Sequence, residues 1–81
     1  MTDQQIFDKI KSIMLGRFDE LEFIKQPITT QSLLTADLGL DSLDKVELVM
    51  DCEKEFNVVF RYDEVEVDTI QDLIDVIKSK I

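Results

Sequence analysis

An all-α fold, a small four-helix bundle with a long first loop and a short third helix, is what this 81-residue chain predicts. Three observations carry that reading. Only two glycines and one proline occur, too few for a turn-rich β architecture. Apolar residues recur at three- and four-residue steps in three separated segments, the spacing of a buried helix face. Val58-Val59-Phe60 could form a short strand, but no second strand is available to pair with it. The hydrophobic fraction of 44% suffices for a compact core and argues against disorder. Residues 1–81 are therefore expected to form one domain.

In the first helix, Thr2 or Asp3 is the expected cap. Ile6, Phe7, Ile10, Ile13, Met14 and Phe18 form its core stripe, with Asp8, Lys9, Lys11 and Ser12 facing away. Gly16 loosens its end, expected between Arg17 and Leu21. From Glu22 to Ala36 the periodicity fades into a long loop. Pro27 disfavours helix at Gln26, and Thr29, Thr30, Gln31 and Ser32 are turn-formers. Ile28, Leu33 and Leu34 are the expected anchors of that loop, whose length is unusual in a small domain and often functional. The second helix runs to about Phe56. Val58 and Phe60 are then read as buried loop residues, followed by a short helix around Tyr62 to Glu66. Asp68 and Gln71 have the spacing of a capping box for the last helix. Its core stripe is Ile70, Leu73, Ile74, Ile77 and Ile81, with Lys78 and Lys80 at the negative end of its dipole.

Charge and composition exclude whole classes of function. The net charge is −9 and unevenly placed: residues 1–36 hold five acids and four bases, residues 37–81 thirteen acids and five bases. Nucleic acid and anionic membrane surfaces are therefore poor partners, since both need a basic patch. A protein with a basic docking patch fits, with steering that salt weakens. There is no histidine, which removes Ser-His-Asp and Cys-His catalysis and histidine metal sites. Cys52 is the only cysteine, so no intrachain disulfide or cysteine metal cluster can form. No run of some twenty apolar residues occurs, and Met-Thr-Asp-Gln-Gln is not a signal-peptide start, so the chain reads as a cytoplasmic protein, expected to be monomeric and without membrane insertion.

The second helix concentrates the features that need explaining. Gly39 offers a flexible backbone point before it. Asp41 is a good N-cap, and Ser42 falls at the helix start, its hydroxyl at the positive end of the dipole. A phosphate ester there would meet backbone N–H groups and a favourable dipole. Asp41 and Ser42 also read simply as a capping pair. Further along, Asp44, Glu47, Asp51 and Glu55 fall in one stripe, although like charges at such spacings repel. Lys45 and Lys54 lie off that stripe. Leu48, Val49, Cys52 and Phe56 form a core face, whereas Leu43, Val46 and Met50 lie beside the acids and below Ser42. A serine tip, an apolar edge and an acidic edge suit docking of a basic partner. Read blandly, the acids are a solvated face and the three apolar residues a core edge.

Asp-Leu-Gly-Leu-Asp-Ser-Leu-Asp-Lys-Val-Glu-Leu-Val-Met (37–50), continuing to Glu53-Lys54-Glu55-Phe56, closely resembles the prosthetic-group site and second helix of acyl carrier proteins. The resemblance is highly specific over about twenty residues and consistent over the rest. It implies that Ser42 carries 4′-phosphopantetheine from coenzyme A, attached by a phosphopantetheinyl transferase that supplies base and metal. Asp41 then serves as N-cap and as a contact for the transferase and its metal. The arm's thiol would carry acyl groups to acyl-transfer, ketosynthase and reductase type enzymes of fatty acid or related polyketide or specialised biosynthesis. Leu43, Asp44, Val46, Glu47, Met50, Asp51 and Glu55 would form the recognition face, each exposed charge pair worth about 1 kcal/mol or less. Where the family often has Ile-Pro-Asp, this chain has Phe60-Arg61-Tyr62-Asp63. Peptidyl carriers, often with Gly-Gly-His-Ser, look different.

Other chemistries fit less well. An EF-hand counted from Asp37 would have Gly39 third and Glu47 eleventh, where Gly is needed sixth and Glu twelfth. As a nucleophile of its own, Ser42 lacks a base: the nearby candidates are carboxylates, whose reference pKa lies near 4. No catalytic residue and no metal site is expected. Cys52 sits on the core side between Asp51 and Glu53, which raise a thiol pKa, so it is read as inert packing. The alternative from a different class is an acidic helical adaptor that never receives a prosthetic group.

Overall fold

The structure is a computed structural model, and it describes residues 1–19, 21 and 26–81. Among the described residues there are three α-helices: α1 (Asp3–Arg17), α2 (Ser42–Phe56) and α3 (Ile70–Lys78). Helix α1 packs against both α2 and α3. Their shared core includes Ile6, Ile10 and Met14 of α1, Leu48 and Cys52 of α2, and Leu73, Ile74 and Ile77 of α3, all fully buried. The stripes follow the periodicity of their segments except at Ile81, expected in the last core stripe, which lies past the end of α3 at Lys78 and is 53% exposed. Thr2 caps α1: its hydroxyl accepts from the Gln5 amide and the Gln5 side chain accepts from the Thr2 amide. The helix ends at Arg17, where Phe18 turns out of register and buries its ring.

The expected four-helix bundle is corrected to three α-helices among the described residues. In place of a short third helix around Tyr62 to Glu66 there is a single 3-10 turn, Tyr62–Glu64. Among the described residues no strand forms; Leu33 and Thr69 make one isolated antiparallel bridge. That bridge explains the missing helix. The Leu34 amide donates to the Asp68 carbonyl at 2.8 Å, and the Gln71 amide to the Thr30 carbonyl at 2.8 Å. The segment before α3 is therefore drawn alongside the first loop and cannot coil. Glu64 closes the turn by accepting the Arg61 amide and an ion pair from Lys80, which hold its carboxyl below the ordinary range.

The cap of α3 is also one residue later than expected. Thr69, not Asp68, is the N-cap, and Asp72, not Gln71, is its partner. Asp72 accepts from the Asp68 and Thr69 amides, and its carboxyl is lowered by those bonds. Its contribution is complete above the ordinary carboxylate range and is lost as pH falls through its own lower pKa.

In the loop, Leu34 is fully buried and Ile28 packs partly against the core, as expected of anchors. Leu33 is not an anchor: its side chain is 42% exposed, while its backbone makes the bridge and turn bonds to Asp37 and Leu38. Leu38 and Leu40 are buried instead. The expected loop residues 22–25 lie outside the described residues. Beyond α2, Asn57 takes the left-handed conformation at φ 55° that ends the helix. Phe60 is then buried and Val58 half-buried, with the Glu53 carboxylate accepting the Phe60 amide.

Candidate functional site

The turn into α2 places the serine. Gly39 sits at φ 74°, a conformation that side chains disfavour, and lets Leu38 and Leu40 both turn inward. The Leu40 amide donates to the Leu34 carbonyl, tying the turn to the buried loop. Asp41 is the N-cap. Its carboxylate accepts the Asp44 amide at 2.8 Å, and the Asp44 carboxylate accepts the Asp41 amide at 3.1 Å. Ser42 is then the first residue of α2 and is exposed. Among the described residues, the Ser42 and Leu43 amides have no acceptor in the chain. An anion at the Ser42 hydroxyl would meet two open N–H groups and the positive dipole end.

A groove of about 330 Å³ lies beside the serine, lined by Ser42, Lys45, Val46, Val65, Glu66 and Asp68. The Lys45 ammonium bridges it by donating to the Val67 carbonyl at 3.1 Å. A wider, open depression of about 650 Å³ lies away from Ser42 between α1 and α2. Among the described residues no cluster of Asp, Glu and Cys could hold a metal ion. No helix among them is long and apolar enough to cross a membrane.

The recognition-face residues divide in two. Leu43, Val46 and Met50 are 68%, 46% and 51% exposed, a solvent-facing apolar edge rather than a core edge. Leu48, Val49, Cys52 and Phe56 are buried on the opposite side. The acids are less uniform. Asp44 is engaged in the cap, while Glu47 and Asp51 are both bonded to Arg17 of α1, and Glu55 lies 4.0 Å from Lys9. The Arg17 guanidinium holds the Asp51 carboxyl below the ordinary range, against a smaller opposing effect of burial. These cations were missed in sequence because Arg17 lies 34 residues from Asp51. The available signal was a base in the last turn of an amphipathic helix.

Cys52 is fully buried, and burial first, then Asp51, Glu53 and Glu55, push its thiol up to about 12. Its thiolate fraction at pH 8 is on the order of one in ten thousand. Iodoacetamide should leave the native protein unalkylated at pH 8 and label it rapidly in urea, read by intact mass. Equal rates in both conditions would contradict the burial.

Comparison with known proteins points the same way. Residues 19–77 match the family model described as phosphopantetheine attachment site. An acyl carrier protein of Buchnera aphidicola is 43% identical over 79 residues, covering 96% of this chain and 97% of its own. An acyl carrier protein of Cyanidioschyzon merolae is 42% identical over 78 residues, covering 95% of this chain and 82% of its own. A solved Mycobacterium tuberculosis structure, described as a candidate acyl carrier protein, superposes with a TM-score of 0.73. It covers 91% of this chain and 96% of its own at 22% identity, a likeness of fold.

Proposed function

The chain belongs to the acyl carrier protein family, and from that premise we propose that Ser42 bears the 4′-phosphopantetheine arm. Membership makes the protein a carrier rather than an enzyme, acted on by a phosphopantetheinyl transferase and by biosynthetic enzymes. It also sets aside the adaptor that lacks a prosthetic group. The observation that carries the assignment to Ser42 is an exposed hydroxyl on the first residue of α2, beside two amides without an acceptor among the described residues. A phosphate ester fits that setting. Asp41 and Asp44 would repel it, but each carboxylate is already turned onto an amide of the cap.

Once attached, the arm supplies a thiol that holds acyl groups as thioesters. The chain's own residues do the rest. Helix α2 holds the hydroxyl outward, and Asp41 fixes the first turn and offers a carboxylate to the transferase and its metal. Leu43, Val46 and Met50 provide apolar contact for partner enzymes. Asp44, Glu47, Asp51 and Glu55 provide the charge that attracts basic patches on acyl-transfer, ketosynthase and reductase type enzymes. The same reading makes residues 1–81 a single acyl-carrier domain, monomeric and cytoplasmic, serving fatty acid synthesis or a related polyketide or specialised pathway.

The test is attachment itself. After incubation with coenzyme A and a phosphopantetheinyl transferase, intact mass should rise by one arm, and proteolytic mapping should put the gain on the peptide containing Ser42. A gain on any other peptide refutes the assignment.

A further inference from the structure

Arg17 is the last residue of α1, yet its side chain belongs to the surface of α2. Nη1 donates to Glu47 Oε2 at 2.6 Å, Nη2 donates to Asp51 Oδ1 at 2.8 Å, and Nε donates to the other Asp51 oxygen. This is the forked geometry in which a guanidinium satisfies a carboxylate at both oxygens. Glu47 and Asp51 are four apart on one helix face and would otherwise repel. They are also the middle of the acidic stripe. Asp44, one turn nearer Ser42, has no base bonded to it among the described residues; its carboxylate accepts only the Asp41 amide there. The stripe is therefore uncompensated at the serine end and partly neutralised in its middle, where one guanidinium faces two carboxylates.

We propose that Arg17 competes with partner cations for Glu47 and Asp51, so that this carrier is read chiefly through the acids beside Ser42. A basic patch whose cations fall against Asp41 and Asp44, with apolar surface over Leu43 and Val46, docks without disturbing the bundle. A patch that places a cation at Glu47 or Asp51 must first displace Arg17. Arg17 is thus a specificity-determining residue that never touches the reacting centre. This rests on the recognition face proposed above.

The test is a mutant cycle on the full chain, read as the KM of a phosphopantetheinyl transferase for the carrier at low salt. Arg17→Gln should lower KM about fivefold, the scale of an exposed ion pair. It removes one positive charge, so Lys11→Gln, which removes one elsewhere on α1, is the control and should have a smaller effect. Asp51→Asn should cost less in the parent than in the Arg17→Gln background, where it should remove most of the gain, whereas Asp44→Asn should weaken docking in both. Arg17→Lys, keeping the charge without the fork, should fall between parent and Arg17→Gln. Circular dichroism checks that each variant is helical. A gain in Arg17→Gln no larger than in Lys11→Gln, or an equal cost of Asp51→Asn in both backgrounds, overturns the proposal while leaving the face itself standing. If Asp44→Asn has no effect in either background, the recognition face fails, and this inference with it.

Discussion

Ser42→Ala is expected to accept no arm at all, with no mass gain after exhaustive incubation with coenzyme A and transferase, while its unfolding curve stays within a few tenths of a kcal/mol of the parent. The two halves of that result have separate causes. Loading needs a hydroxyl, and alanine has none. Stability hardly changes because the side chain that caps α2 belongs to Asp41, not to Ser42. Alanine is in fact the better helix former at the first helical position. The serine is thus nearly free of structural duty, as expected of a position kept for attachment. Asp41→Ala is the instructive contrast: loss of the cap costs roughly 1 kcal/mol, and loading slows because the turn that presents Ser42 is loosened. A Ser42→Ala protein that still gained one arm would place the attachment elsewhere and remove the account of the α2 tip.

How far the sequence could be read follows from the range of each interaction. The start of α2 was legible because capping is local: Asp41 and Ser42 are adjacent, although the reciprocal bond from the Asp41 amide to Asp44 was not legible, the Asp44 carboxylate being counted in the acidic stripe. The core stripes of all three helices were legible for the same reason, since periodicity is a property of contiguous residues. What could not be read depends on partners far along the chain. Tyr62 to Glu66 has nothing in its own composition that forbids a longer helix. It stops at a 3-10 turn because Asp68 and Gln71 are tethered to Leu34 and Thr30, more than thirty residues earlier. That same tether moves the α3 cap from Asp68 to Thr69. Leu33 and Leu34 are indistinguishable by type, yet only one is buried, and the bridge between Leu33 and Thr69 decides which. Arg17 is the functional counterpart. A stripe of four acids looks like open charge until a base from another helix is seen lying across it.

Leu34→Ala, a substitution outside α2, is expected both to destabilise the fold strongly and to disturb the functional tip. Its side chain is fully buried, and truncating a buried leucine costs about 2–5 kcal/mol, the transfer term plus the cavity left behind. A domain of this size holds a total of only roughly 4–12 kcal/mol. The position is more exposed to failure than a helical core residue because two connections run through its backbone. Its amide donates to Asp68, fixing the entry to α3, and its carbonyl accepts from Leu40, fixing the turn that leads into Ser42. A cavity here lets both connections shift together, since no helical hydrogen bonds hold the loop in place. The variant should therefore show a large fall in the urea midpoint with an unchanged slope. Loading of Ser42 should also become slower at temperatures where the protein is still mostly folded. Ile6→Ala in α1 is the comparison: also fully buried, it should cost similar stability but spare the loading rate of the folded protein. If both variants slow loading equally at matched folded fraction, the loop does not position the serine turn, and the link from Leu34 through Leu40 to Ser42 is broken.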